Sequence, residues 1–260
     1  MRADLFLYNL GYVKSRQKAK NLIEGGNVKI NSIVIKKPSF EINEAVENIV
    51  EITDDCPYVS RGGLKLAKML DVLKVDLKDK VALDIGASTG GFTHCLLLAG
   101  AKKVFAIDSG TNQLDELLEN DSRVVSLEGF NARNLTFEDL GESVNIAVAD
   151  VSFISQTYIM PIANELLDKE GLYIGLIKPQ FEVGKGKIGK GGIVKEKKYR
   201  HEAILKIFEC GKMLGLNCLD IIESPIQGGD GNIEYLIAFT KEKIEKQIDI
   251  NTFLKNKGLK

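Results

Sequence analysis

Val81-Ala82-Leu83-Asp84-Ile85-Gly86-Ala87-Ser88-Thr89-Gly90-Gly91-Phe92-Thr93 is the stretch on which the fold turns. The apolar run over 81–85 is too short for a helix and rich in branched side chains, which predicts a buried strand. Gly86, Gly90 and Gly91 let the backbone turn sharply and admit a ligand closely. Ser88 or Thr89 is placed to cap a helix expected over 90–99. A strand that turns on glycines into a helix gathers free N–H groups at one point, as a nucleotide-cofactor site requires. The next apolar run, Val104-Phe105-Ala106-Ile107, ends in Asp108. An acid at the tip of the second strand typically takes ribose hydroxyls.

The glycine spacing is G-x-x-x-G-G, not the G-x-G-x-x-G of dinucleotide enzymes, and Asp84 inside the motif is foreign to them. Both features suit S-adenosylmethionine, which carries an amino-acid end and a ribose but no pyrophosphate. The expected cofactor residues are Asp84, the run from Gly86 to Thr93, Asp108, Asn131 and Asp150. The plainer alternative, glycines that serve only close packing, is weakened by Asp108 at the right distance.

The chain has 260 residues, enough for one large domain and a small one. Its net charge is −1, so any nucleic-acid site must come from local patches. No apolar run reaches a membrane span, and the N-terminus lacks a signal-peptide core. Cys56, Cys95, Cys210 and Cys218 lie without C-x-x-C spacing, and the histidines are His94 and His201. That pattern predicts reduced thiols in a cytoplasm and no zinc or other metal site.

Residues 1–37 hold eight Lys or Arg against Asp4 and Glu24. Leu5, Phe6, Leu7 and Leu10 predict a short helix ending near Gly11, and Ser15 caps a second helix from Arg16 to Glu24. Val28 and Ile30, then Ile33 to Ile35, read as two strands around an Asn31-Ser32 turn. The segment Lys14 to Asn31 resembles the small RNA-binding domain named after the fourth small-subunit ribosomal protein, with Ser32 in place of the usual glycine. The basic residues gather where acids are few, which favours RNA over a merely solvated face. Residues 38–57 turn acidic and finish this domain, with strand expected near Val46 to Ile52. Expected boundaries are 1–57 for the small domain, 58–63 for a linker and 64–260 for the large domain.

From Lys80 onward strands are expected at 81–85, 104–108, 124–127, 145–149, 172–177, 218–222 and 235–240. Helices are expected at 64–73, 90–99, 111–119, 155–168 and 199–214. The rhythm predicts an α/β fold with a seven-stranded, mostly parallel, Rossmann-like sheet behind a small α+β domain. Ligands of such sheets sit beyond the carboxyl ends of the strands. Asp84, Asp108, Asp150 and Lys178 are expected at those ends, with Asn131 and Arg133 after the third strand.

Lys178-Pro179-Gln180-Phe181-Glu182, Ser60-Arg61-Gly62-Gly63, the Gly86–Thr93 turn, Asn131-Ala132-Arg133, the run from Ala149 to Ser155 and Gly231-Asn232-Ile233-Glu234-Tyr235 together resemble the TlyA family across almost the whole chain. That resemblance implies a class I, FtsJ-type methyltransferase domain behind the RNA-binding domain. It implies an enzyme that uses S-adenosylmethionine to methylate a cytidine 2′-hydroxyl of ribosomal RNA, in a family often also labelled hemolysins. By motif position the FtsJ-type Lys-Asp-Lys-Glu tetrad falls on Lys65, Asp150, Lys178 and Glu234. Lys65 by itself reads as a surface lysine.

The chemistry fits that assignment. A ribose hydroxyl is a weak nucleophile whose proton must leave as the methyl arrives. A lysine accepts a proton only if its ammonium form is disfavoured, and burial or a neighbouring cation does that. Lys178 is the expected base or steering group, with Asp150 and Glu234 orienting the two lysines. The expected RNA contacts are Arg2, Lys14, Ser15, Arg16, Lys18, Lys20, Lys29, Arg61, Arg133, Lys185, Lys187 and Lys190.

Gly184-x-x-x-x-Gly189-Lys190 imitates a phosphate loop, but Gly191 stands where a Ser or Thr would bind magnesium. It reads better as a flexible basic lid able to close on RNA, with surface disorder as the alternative. The tail from Lys241 is expected to form a helix to about Phe253, without chemistry. Two rival functions are a non-catalytic RNA-binding or ribosome-assembly module and a pore-forming toxin. The first needs neither cofactor glycines nor a tetrad. The second needs a membrane segment or secretion signal. The short N-terminus leans toward the family's shorter type, which acts on the large ribosomal subunit. A monomer is expected, with no DNA or membrane partner.

Overall fold

The computed structural model describes residues 1–13, 15–53, 56–228, 231–244 and 248–256. The chain divides into two compact units, Met1–Arg61 and Gly62–Lys260.

In the first unit, α1 (Ala3–Asn9) and α2 (Arg16–Glu24) cover a three-stranded antiparallel sheet of β1 (Val28–Ile30), β2 (Ile33–Val34) and β3 (Val50–Ile52), ordered β2-β1-β3. The Ser15 hydroxyl accepts from the Lys18 N–H, the expected helix cap. Ala19, Leu22 and Ile23 recur at helical spacing and are buried against Phe6, Leu7, Val28 and Ile30. Asn31 and Ser32 both take left-handed φ, +51° and +66°, as a two-residue hairpin turn between right-twisted strands requires. Ser32 therefore adopts the glycine conformation. Asn31 steadies the turn through bonds to Asn48 and the Ile49 N–H.

The second unit begins with α3 (Gly62–Leu73). Gly62 and Gly63, expected in the linker, form its first turn; Gly63 is buried, so the small side chains serve close approach. Next come β4 (Val81–Ile85), α4 (Gly91–Leu98), β5 (Lys103–Ile107), α5 (Glu116–Glu119), β6 (Val124–Leu127), α6 (Phe137–Leu140), β7 (Val144–Ala149), α7 (Met160–Leu166), β8 (Leu167–Ile177), α8 (Pro179–Glu182), α9 (Lys197–Met213), β9 (Asn217–Glu223), β10 (Tyr235–Thr240) and α10 (Ile250–Asn256). The seven-stranded sheet runs β6-β5-β4-β7-β8-β10-β9, with β10 alone antiparallel to its neighbours β8 and β9. The chain first moves outward through β5 and β6, then returns to the other side of β4 with β7. The order reverses between β4 and β7, and a crevice opens beyond their carboxyl ends. All five residues of β4 are buried, as expected of a strand covered on both faces.

Three expected helices are shorter than their pattern. Residues 111–115 are not helical, because the Glu128 carboxylate takes the N–H groups of Asn112, Gln113 and Leu114 and Asp115 caps α5. The helix expected at 155–168 is a 3-10 turn, Gln156–Tyr158, followed by α7, whose early Pro161 needs no N–H partner. The C-terminal helix starts at Ile250, not Lys241, and buries Ile250 and Leu254. No described helix is long and apolar enough to cross a membrane. Among the described residues, no group of three or more His, Cys, Asp or Glu could hold a metal.

Candidate active site

The glycine turn after β4 is built by steric necessity. Gly86 has φ +85°, and a Cβ there would stand 2.6 Å from the Asp150 carbonyl oxygen. Gly90 is the N-cap of α4 with φ +90°, and a Cβ would stand 2.2 Å from the Leu118 side chain. Neither Ser88 nor Thr89 caps the helix. Ser88 instead takes a left-handed φ of +48° and donates its N–H to Asp108 Oδ2 at 2.8 Å.

The turn's amides are less free than its motif suggests. The Gly86 and Ala87 N–H groups both donate to the Ile107 carbonyl, and that of Gly90 to Ala87. The first two lock the tip of β4 to the tip of β5 rather than pointing at a ligand. Asp108 completes the lock, its other carboxylate oxygen accepting from the Gly110 N–H at 2.7 Å.

Beyond these tips lies a cavity of about 580 Å³ lined by Gly86, Ser88, Asp108, Asn131, Arg133 and Asp150, with Gln113, Phe130, Ser152 and Phe153 also on its wall. Its volume and mixed lining suit a ligand the size of a nucleoside. Of the expected cofactor residues, Asp84, Ala87, Thr89, Gly90, Gly91, Phe92 and Thr93 do not line it. Asp84 lies inside β4 rather than at its end. It has no exposed surface and accepts the Thr93 hydroxyl at 2.6 Å, so these two residues brace the turn from behind. Burial pushes the Asp84 carboxyl up to about 7, against the opposing Thr93 hydrogen bond.

The four residues expected to form a tetrad make two ion pairs. Lys65 Nζ stands 2.6 Å from Glu234 Oε2, with side-chain exposures of 10% and 3%. Far from a surface lysine, Lys65 is buried on the inner face of α3. Lys178 Nζ stands 2.6 Å from Asp150 Oδ1 and donates to Ser152 Oγ at 2.8 Å. Antiparallel pairing of β8 with β10 sets Ile177 opposite Tyr235, so the next residues outward, Lys178 and Glu234, emerge at the same sheet edge. The Glu234 carboxylate is further confined by Gly228, where a Cβ would lie 2.5 Å from Oε1.

The expected RNA contacts are scattered differently. In the first unit Asp4, only 4% exposed, accepts from Arg2 Nε at 2.9 Å and Nη2 at 3.0 Å, and from Arg16 Nη2 at 3.2 Å. The Arg2 hydrogen bonds hold its carboxyl at about 2, below the usual range. Arg2, Arg16 and Lys20 line a groove of about 710 Å³. Lys20 and Lys29 each lie 3.8 Å from a glutamate, Glu24 and Glu51. Lys18 and Arg61 are half-buried. Ser15 is spent on capping, and Lys14 lies outside the described residues. In the second unit Arg133 lies over the Tyr158 ring, 5.4 Å from its centroid. Lys187 is taken by Glu202, so the expected lid is pinned there, and Asn232 ties it further through the Val194 N–H and the Gly192 carbonyl. Lys185 and Lys190 flank it on 3-10 turns. Gln113 and Phe130 join the cavity wall without a motif of their own, whereas Ser152 falls within the run from Ala149 to Ser155.

The FtsJ-like methyltransferase family matches residues 58–241, and the S4 domain matches residues 1–47. Hemolysin A of Brachyspira hyodysenteriae is 43% identical over 92% of this chain and 99% of its own length. The 16S/23S rRNA (cytidine-2′-O)-methyltransferase TlyA of Mycobacterium tuberculosis is 39% identical over 91% of this chain and 88% of its own. A solved Streptococcus thermophilus structure that carries a hemolysin name superposes with TM-score 0.76 at 36% identity, covering 99% of this chain and 98% of that one. An S4 domain, a seven-stranded methyltransferase sheet and relatives of this closeness place the chain in the FtsJ-like methyltransferase family, among its TlyA and hemolysin A members.

Proposed function

We propose that this chain methylates the 2′-hydroxyl of a cytidine in ribosomal RNA, with S-adenosylmethionine as donor and Lys65, Asp150, Lys178 and Glu234 as its catalytic tetrad. The observation that carries the reading is the Lys178–Asp150 pair, whose Asp150 also lines the cavity.

The residues present fit the donor. Asp108 keeps acceptor capacity on both oxygens for ribose hydroxyls, and Gly86 lets the turn pass close to Asp150, where any side chain would clash with its carbonyl oxygen. Asn131 and Gln113 supply amides on the same wall. The donor supplies an activated methyl on a sulfonium centre. Bound there, it would offer that methyl to the ribose 2′-oxygen, whose hydroxyl proton would pass to a residue of this site. In this reading Lys178, acting as the free amine, takes the hydroxyl proton. The buried Lys65–Glu234 pair keeps a second cation and anion neutralised beside Lys178 and Asp150. General-base help and in-line positioning contribute together, the first typically about 10²–10⁴-fold.

Arg2, Arg16 and Lys20 in the first unit, and Arg133 at the cavity, are the proposed phosphate contacts. Arg2 and Arg16 are preorganised by Asp4 rather than free to wander. The test is a map of 2′-O-methylation on both ribosomal RNAs from cells with and without the gene. A cytidine methylated only in its presence is expected; identical maps would refute the assignment.

A further inference from the structure

Gln156 occupies the gap between the carboxyl ends of β7 and β8 and is 1% exposed. Its amide nitrogen donates to the Ala149 carbonyl at 3.2 Å and to the Leu176 carbonyl at 3.0 Å. Ala149 immediately precedes Asp150, and Leu176 stands two residues before Lys178. The amide oxygen accepts from the buried Tyr173 hydroxyl. Both amide hydrogens are thus spent on the two strands whose ends carry the Lys178–Asp150 pair.

The space for this staple is built into β8. A Cβ on Gly175 would stand 2.9 Å from the Tyr173 ring and 3.3 Å from Gln156 Oε1. A glycine inside a strand weakens it, and here its place is filled by the amide and the ring. The backbone of Gln156 is anchored independently. Its N–H donates to Glu182 Oε1 at 2.8 Å, while Glu182 Oε2 accepts from Ser155 Oγ at 2.5 Å and Lys206 Nζ at 2.9 Å. A buried amide with every donor used fixes its neighbours because any slip strands a polar group away from water.

We propose that Gln156 is a positioning residue for methyl transfer, holding the ends of β7 and β8 at the separation that lets Lys178 meet Asp150. This rests on the catalytic reading of Lys178 and Asp150 above. Gln156 touches neither of their side chains; it acts through the carbonyls behind them.

The experiment compares Gln156→Met, Ser155→Ala, Tyr173→Phe and Lys178→Ala in the full chain. It reads single-turnover methyl transfer to ribosomal RNA, calorimetric affinity for S-adenosylhomocysteine, and amide hydrogen exchange. Gln156→Met keeps the volume and removes both donors. It is expected to lower the rate by about tenfold to a hundredfold, since a misplacement near 1 Å suffices for that. S-adenosylhomocysteine affinity should stay within about twofold, and exchange should quicken over 147–152 and 175–180. Ser155→Ala loosens the same turn without touching either strand carbonyl, and its rate should stay near wild type. Tyr173→Phe frees the amide oxygen and should lower the rate in the same direction, which keeps the test alive if Gln156→Met folds poorly. Wild-type rates in Gln156→Met and Tyr173→Phe would overturn the positioning role. A wild-type rate in Lys178→Ala would instead overturn the catalytic reading on which it rests.

Discussion

Lys65→Met removes one partner of an ion pair that is almost wholly withdrawn from water, and leaves Glu234 charged, 3% exposed and confined against Gly228. Breaking a buried pair from one side typically costs about 3–5 kcal/mol. For a domain of this size each kcal/mol moves Tm by about 2–4 °C, so a fall of roughly 6–20 °C is expected. Methyl transfer should be lost as well. Those two losses alone would not distinguish a scaffold from a catalytic group, so the informative variant is the double one. Lys65→Met/Glu234→Leu replaces both charges with apolar volume, and such exchanges are often neutral or stabilising. Tm should return to within a few degrees of wild type while methyl transfer stays absent. The assay is a thermal melt followed by circular dichroism, paired with label transfer from the donor at a temperature where every variant is folded. A double variant that regains both stability and activity would refute the catalytic role of the pair. A fall in Tm of less than about 2 °C in Lys65→Met would refute its burial.

Other perturbations test the remaining parts. Asp108→Ala removes the acceptor for the Ser88 and Gly110 N–H groups and for the proposed ribose contact, and should weaken S-adenosylhomocysteine binding by roughly 10–100-fold in calorimetry, the equivalent of about 1.5–3 kcal/mol. Arg2→Ala with Arg16→Ala should weaken RNA binding and lower the slope of log Kobs against log salt by about 0.7–0.9 for each phosphate that is no longer neutralised, leaving cofactor affinity unchanged. Asp84 has a folded-state carboxyl raised to about 7 by burial, so its contribution is fully present below the unfolded value near 3.9 and is lost as pH rises toward 7. Urea titrations of wild type should therefore lose stability, on the order of a few kcal/mol, between pH 4 and 7 relative to Asp84→Asn, and parallel curves would contradict the buried assignment.

The sheet was legible because its strands are short apolar runs bounded by turns, and a run such as Val81 to Ile85 is buried on both sides as its composition requires. Strand ends were harder to place. Asp84 looked like a ligand at a strand tip because it is acidic and sits beside glycines, yet β4 runs one residue past it and turns it inward toward Thr93. Ser88 has the composition of a helix cap, but the lock between the tips of β4 and β5 draws its N–H to Asp108, so Gly90 takes the capping position. Helix lengths failed where a distant carboxylate competes for backbone N–H groups, as Glu128 does for 112–114. Which lysine meets which carboxylate was beyond any local pattern. That Glu234 and Lys178 reach the same edge follows from β10 running antiparallel beside β8, and antiparallel pairing at one edge of a parallel sheet leaves no mark in the composition of either strand. Gln156 was hidden for the same reason: its partners are carbonyls, which every residue has.

The central claim is that Lys178 serves transfer of a methyl group to a ribose hydroxyl. Its most direct test is single-turnover transfer from labelled S-adenosylmethionine to ribosomal RNA, with the product digested to nucleosides, for wild type, Lys178→Ala and Lys178→Arg. Wild type should place the label in 2′-O-methylcytidine, and both variants should fail while binding S-adenosylhomocysteine normally, because a guanidinium keeps the charge but cannot accept a proton. Label on a base, or Lys178→Ala turning over at the wild-type rate, would contradict the claim; near-wild-type transfer by Lys178→Arg would remove the base role and leave Lys178 as a positive charge that orients the hydroxyl.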